Sequence, residues 1–351
     1  MHESIIQRFF PSKKVTAVIP FGRGHINETF RVHFEGEQES YILQRINTQV
    51  FVNPQQIVEN HLKVQKHLTQ TNHKIIIPRL LKTVENEYIF FDQHQNAWRM
   101  TNFVENSYTL EIVTEEWQAS EAGNAFGWFA RACSGLNALD LVEVIPNFHR
   151  LSFRLEQLDE AITNNKANIL ATVTELTDFY LQRRDQLMLI ETLTDTGIIP
   201  QHVVHNDTKI NNLLFRDEKA VAVIDLDTVG PGVLFYDYGD AIRTISNTAG
   251  EDEQNICQVD FNFKFFSVFS RAYLGQVKSM LVFPDEEFFY LAPVLMTYIM
   301  GIRFLTDYLN GDVYYKTSYP DHNLVRSRVQ KKLIECMEAQ ADEMKNAIAE
   351  I

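Results

Sequence analysis

Cysteine is scarce in this chain of 351 residues: Cys133, Cys257 and Cys336 lie far apart, with no C-x-x-C pair. An odd, scattered count argues against a disulfide framework and a zinc site, and fits a reducing, cytoplasmic compartment. Basic charge is in deficit, 32 Lys and Arg against 46 Asp and Glu, a net of −14. Such a surface repels nucleic-acid phosphates and anionic lipid, so neither nucleic acid nor membrane is an expected partner. Long apolar runs are also few. The most apolar, FFYLAPVLMTYIMGI at 288–302, is short for a membrane span, contains Pro293 and is followed by Arg303. It reads as a buried helix. The opening MHESIIQRFFPSKK has no apolar core of the signal-peptide kind. Internal repeats and low-complexity segments are lacking as well. What remains is an ordinary globular composition, 45% hydrophobic and 22% charged, in a chain long enough for two lobes.

The two lobes differ in character. VTAVIP, leading through FGRGHINETF into RVHFEG, and YILQRI after a polar EQES turn, within residues 14–46, read as a small antiparallel sheet whose first hairpin carries glycines. Asn53-Pro54 opens a helical pattern with Ile57, His61, Val64 and Leu68 on one face. KIIIP, EYIFF and AWRMTNFV are further strand candidates. Beyond Glu105 helical spacing prevails: Ala122, Phe126, Phe129, Cys133 and Leu136, then two amphipathic helices within 151–190. A stripe from Val325 through Val329, Leu333, Met337, Ala341 and Met344 to Ile348 reads as one long amphipathic helix. The fold class is α+β, with a sheet-rich part at 1–104, a mainly helical part at 105–351, and the joint within 102–106.

The chemistry concentrates in HNDTKINN at 205–212 and IDLD at 224–227. Asp207 and Asn212 stand five apart, and Asp225 ends an apolar strand eighteen residues after Asp207. A hairpin brings all three to one sheet end. An amide oxygen and a carboxylate, Asn212 and Asp225, are hard ligands suited to Mg²⁺ shared with phosphate oxygens. Asp207 is then free to accept a proton from a hydroxyl, and Lys209 to neutralise a phosphoryl group in transfer.

This pattern resembles the aminoglycoside phosphotransferase and choline kinase superfamily of protein-kinase-like small-molecule kinases. HNDTKINNLLF and VIDLDTVGPGVLFYDYGDAIR are most similar to bacterial N-acetylhexosamine 1-kinases, and the resemblance covers most of the chain. It implies a bilobal kinase-like fold that uses ATP and Mg²⁺ on a small-molecule acceptor, with the anomeric hydroxyl of N-acetylglucosamine or N-acetylgalactosamine as the preferred one. Position by position it makes Asp207 the catalytic base, Asn212 and Asp225 the metal ligands and Asp237 a support of the catalytic loop. Asp227 and Asn206 stand where many members have glycine, and Asp227 is expected to contact metal, its surroundings or substrate.

The resemblance further implies that Gly22, Gly24 and Asn27 cover the nucleotide phosphates, with His25 within reach of a sugar hydroxyl. The backbone from Met100 to Phe103 would meet the adenine edge. Kinases carry a phosphate-holding Lys on the third strand, paired to a helix Glu, whereas this strand has Gln44 and Arg45. Arg45 is the candidate replacement and Glu59 its candidate partner. Asp240, Arg243, Arg303 and Tyr314 are acceptor-site candidates. Two rivals stay open: a kinase for an aminoglycoside, choline or another aminoalcohol, and a nucleotide-binding regulatory module of kinase shape. The sequence leaves the oligomeric state open.

Overall fold

A computed structural model describes residues 2–22, 26–70, 75–282 and 286–351. A first helix, α1 (His2–Phe9), precedes a five-stranded sheet built from β1 (Val15–Pro20), β2 (Glu28–Phe34), β3 (Ser40–Ile46), β4 (Phe90–Phe91) and β5 (Ala97–Asn102). Strand order is β1-β2-β3-β5-β4 with every pairing antiparallel. Helix α2 (Pro54–Leu68) joins β3 to β4, with Pro at its first position, where no N–H is needed.

Strand alternation sorts the side chains. On one face Val32, Phe34, Tyr41, Leu43, Trp98 and Met100 pack on Ile5, Ile6 and Phe9 of α1. On the other, Ile46 and Ala97 pack on Ile57 and Val58 of α2. The same face carries the polar residues Thr29, Gln44 and Arg99, which bond to one another. The expected KIIIP strand is reduced to one parallel bridge, Ile76 to Ala222. Its amide and carbonyl bond to Val221 and Val223 rather than to the first sheet.

The helical part contains α3 (Glu116–Ala132), α4 (Leu151–Asn164), α5 (Thr174–Leu181), α6 (Arg184–Leu187) and α7 (Leu189–Asp195). Two small antiparallel pairs follow. β6 (His202–Val204) pairs with β9 (Gly230–Gly232), and β7 (Leu213–Arg216) with β8 (Lys219–Val223). Helices α8 (Leu234–Ile245), α9 (Phe263–Val277), α10 (Glu286–Leu309), α11 (His322–Ala339) and α12 (Ala341–Ala349) complete the chain.

Helix α10 is long and apolar enough to cross a membrane, but most of it is buried within the protein. It serves as a core helix, as its sequence suggested. The C-terminal stripe is two helices rather than one, broken at Gln340 (φ −109°, ψ 17°). The apolar spacing runs on through the break because Met337, Met344 and Ile348 are all buried in the same core.

Candidate active site

The site forms where β6, β7 and β8 end. Asp207 and Asn212 lie in the loop between β6 and β7, and Asp225 lies just beyond β8. The Ile224 amide donates to the Asn212 carbonyl (2.9 Å), which sets the two metal-ligand candidates side by side. Asn206 (φ 64°) and Asp225 (φ 59°) are left-handed. Asn and Asp tolerate that conformation best after Gly, which is why Asn206 substitutes for glycine here. Its side-chain amide also donates to the Thr228 carbonyl (3.0 Å).

The loop at 205–212 is held from behind. His205 is fully buried. Its Nε2 meets the Ile224 carbonyl (2.9 Å) and is therefore the protonated nitrogen, while Nδ1 accepts from the Asp207 amide (3.3 Å). Asp237, on α8, accepts from the amides of His205 (2.8 Å) and Asn206 (2.7 Å). Burial nevertheless raises its carboxyl to about 6. Asp240 accepts from the Thr208 amide (3.0 Å) and from Arg243 (2.9 and 3.1 Å). Burial alone would raise the Asp240 carboxyl, but Arg243 and then His149 hold it below the usual range. Arg243 also bonds Glu251 (2.8 Å). Asp240 and Arg243, expected at the acceptor, are instead a buried pair that braces the loop, because each one's bonding groups are spent on the other and on neighbouring groups.

On the open side Lys209 Nζ lies 3.1 Å from Asp207 Oδ1, and Asn212 Nδ2 lies 2.9 Å from Asp207 Oδ2. Asp207, outweighing the cost of burial, holds the Lys209 ammonium above its usual value. Asp225 is exposed, and its carboxylate has no hydrogen bond among the described residues. Crowding by protein, then Asp227 and Asp207, raise its carboxyl to about 7. No group of three or more His, Cys, Asp or Glu fit for a metal exists among the described residues. A bonded Asn212 amide with its Oδ1 left over, beside an unpaired Asp225 carboxylate, is a two-ligand oxygen set. That suits a magnesium ion completed by phosphate oxygens and water.

Asp227, expected at metal or substrate, is only 3% exposed. Its Oδ1 lies 2.5 Å from Arg99 Nη2 and its Oδ2 accepts from Asn27 Nδ2 (2.6 Å). Oδ2 is hydrogen-bonded and Oδ1 is ion-paired without a hydrogen bond, so Asp227 links β5 and Asn27 to the segment that carries Asp225. Arg45 also departs from expectation. Its parity places it on the α1 face, paired to Glu28 and near Asn96 (3.4 Å), while Gln44 takes the inner face. Glu59 is exposed on α2 and does not reach Arg45. Its neighbour Asn60 is buried and bonds the carbonyls of Val142 (2.7 Å) and Val229 (2.8 Å).

Met100 is wholly buried on the α1 face, and its carbonyl accepts from the Leu81 amide (2.9 Å). Phe103 stands at the end of β5, edge-on to exposed Phe21 and 3.9 Å beneath the Arg31 guanidinium. Gly22 has φ +79°, a conformation that favours glycine, and open space around it. Gly24 and His25 lie outside the described residues.

Arg303 interrupts the buried helix as expected, but no carboxylate pairs with it among the described residues. Its guanidinium lies over the rings of Phe148 (5.2 Å) and Tyr315 (5.6 Å) and donates to Met300 Sδ (3.4 Å). Beside it is Arg154, held by the Phe148 carbonyl (2.9 Å) and Gln157 (2.8 Å) and lowered to about 10 by burial and Arg303. Tyr314 is exposed, stacked edge-on to Tyr315 (4.9 Å). Phe148 adjoins His149, whose Nε2 donates to the Asn206 carbonyl (2.9 Å), so this cluster borders the 205–212 loop. Sequence reasoning missed Arg99, Arg154 and His149. A charged residue inside the apolar strand AWRMTN was the available signal for Arg99; Arg154 sits among other polar residues of α4 and gave none.

Residues 17–260 match the model of the phosphotransferase enzyme family. Solved structures of similar shape include an aminoglycoside phosphotransferase from Alicyclobacillus acidocaldarius (TM-score 0.66, 10% identity, 99% of this chain and 96% of that one). A microcompartment-associated aminopropanol kinase aligns at TM-score 0.60 and 14% identity, covering 98% of each chain. A choline kinase from Cryptosporidium parvum aligns at 0.57 and 15%, covering 95% and 91%. At such identities these structures establish the fold alone, while the family match spans more than half of the chain. With the bilobal fold and the loop geometry just described, the chain belongs to the phosphotransferase enzyme family.

Proposed function

We propose that this phosphotransferase, whose acceptor is an alcohol group, moves the γ-phosphoryl group of ATP to the anomeric hydroxyl of N-acetylglucosamine or N-acetylgalactosamine. Asp207 orients the acceptor hydroxyl and takes its proton as the oxygen bonds to phosphorus and the β–γ bridge bond breaks. Lys209, fixed beside Asp207, faces the charge on the phosphoryl group in transfer. Asn212 and Asp225 would hold Mg²⁺, which when bound screens the phosphate oxygens. Asp237 and Asp240 act through the loop amides, keeping Asp207 in place.

The observation that carries the acceptor assignment is the pair Arg154 and Arg303. Two partly buried guanidiniums without a carboxylate partner, beside aromatic rings and next to the catalytic loop, repel a cationic acceptor. They suit one that offers hydroxyl and carbonyl oxygens, as an acetamido sugar does. The aminoglycoside, choline and aminoalcohol alternatives require the opposite charge. Release of ADP over a panel of N-acetylglucosamine, N-acetylgalactosamine, glucose, galactose, choline and an aminoglycoside tests the reading, with phosphorus NMR locating the phosphate. Turnover confined to the N-acetylhexosamines with a 1-phosphate product is expected. Preference for choline or the aminoglycoside would overturn it.

A further inference from the structure

We propose that Arg99 is the positioning residue that serves, from β5, in place of the kinase strand lysine, acting on the nucleotide through Asp227 and Asn27; this rests on the kinase reading above. Lys–Glu clamps tie a strand cation to a helix carboxylate beside the phosphates. Here neither half exists, since Gln44 fills the inner face of β3 and Glu59 points to solvent. One strand further in, Arg99 Nε donates to Gln44 Oε1 (3.0 Å) and Nη2 meets Asp227 (2.5 Å). Both members of that pair are at most 4% exposed.

The chain of contacts does not stop at Asp227. Its second oxygen accepts from Asn27 (2.6 Å), and Asn27 Oδ1 in turn accepts from the Asn47 amide (3.0 Å). Asn27 stands at the foot of the glycine hairpin, and Asp227 stands two residues past Asp225. One buried cation therefore fixes Asn27, just before β2, against the segment that carries Asp225. It also offsets the charge of Asp227, which leaves Asp225 as the unpaired carboxylate of the two. Asn60 closes the arrangement from α2 by bonding the Val229 carbonyl. The link is thus made between strand and metal-ligand loop, not between strand and helix.

The test measures binding of a fluorescent ADP with Mg²⁺ to the full chain, together with acceptor KM. Removing one partner of a buried pair gives the largest effect: Arg99→Met should weaken ADP by about tenfold or more, with Arg99→Lys between it and wild type. Asn27→Ala, at a half-buried position, should weaken ADP by about threefold or more. The double variant should be no weaker than Arg99→Met within about twofold, because both act through one link. Acceptor KM should stay within about twofold throughout. Wild-type ADP affinity in Asn27→Ala and in a folded Arg99→Met overturns the proposal, as do fully additive losses. Should Arg99→Met fail to fold, Asn27→Ala and Arg99→Lys decide alone. Absence of ADP binding by the wild type would overturn the kinase reading itself, a distinct result.

Discussion

Gly239 sits in α8 between the two carboxylates that brace the 205–208 loop, and it faces the backbone of α10. A Cβ at this position would lie 2.3 Å from the Ala292 carbonyl oxygen and 2.6 Å from its carbon. Ordinary contact begins near 3.4 Å, so Gly239→Ala forces α8 and α10 apart by about 1 Å. Main chain is the obstacle, and no rotamer change relieves it. Asp237 and Asp240 ride on α8, at 2.7–3.0 Å from the amides of His205, Asn206 and Thr208. A shift of that size carries one or more of these bonds out of reach. Overpacking costs about 1–3 kcal/mol, alanine's helix propensity returns about 1, and a stranded loop amide costs about 1–3 more, a net loss of roughly 1–5 kcal/mol. Displacement of Asp207 by a similar distance should lower kcat by about 10²-fold. Gly275→Ala is the control: Gly275 lies in α9 with open space around it, and should gain about 0.5–1 kcal/mol with unchanged kcat. Urea unfolding and ADP release measure both quantities. Equal stability and wild-type kcat in the two variants would refute the coupling of α10 to the loop through α8.

Three other outcomes are expected. Burial lowers His61 and His149 from 6.5 to about 4 in the folded chain. Their neutral rings stabilise the fold fully above pH 6.5, and that contribution is lost as pH falls toward 4, about 3 kcal/mol for each; urea midpoints of His61→Gln and His149→Gln should fall less between pH 7 and 4.5 than those of wild type. Asp307 accepts from the amides of Val313 (3.0 Å), Tyr314 (2.8 Å) and Tyr315 (2.9 Å) and from Asn323 (2.9 Å). Asp307→Asn removes acceptor capacity from the loop bearing Tyr314, and steady-state kinetics should show acceptor KM rising severalfold, to about 3–10 times, at constant KM for ATP. Asp225→Asn should raise the Mg²⁺ concentration needed for half-maximal turnover, and chelation should stop turnover without unfolding the chain, as circular dichroism would show.

Much of the catalytic half was legible because its order is local. Asp207, Asn212 and Asp225 are joined by two short strands, so spacing along the chain already determines proximity. The apolar run over 288–302 declared itself as a core helix for the same reason. Contacts between distant segments were illegible. Asp240 and Arg243 look like polar ligands in sequence, and only the approach of α8 to Thr208 reveals them as a brace. Gln44 and Arg45 differ by one step of strand parity, which single-sequence reading does not resolve. Arg99 and Asp227 are separated by 128 positions and meet only when the lobes assemble. The helix break at Gln340 was hidden because both helices feed one core and keep the apolar stripe continuous.

The central claim is that Asp207 governs phosphoryl transfer at a nucleotide site the chain assembles without its help. Wild type and Asp207→Asn should be compared side by side, with phosphorus NMR following phosphate from ATP to N-acetylglucosamine and ADP affinity measured in parallel. On that reading, sugar 1-phosphate is expected from the wild type, with a loss of turnover by about 10²-fold or more in the variant and unchanged ADP affinity. Turnover by Asp207→Asn equal to wild type would contradict it.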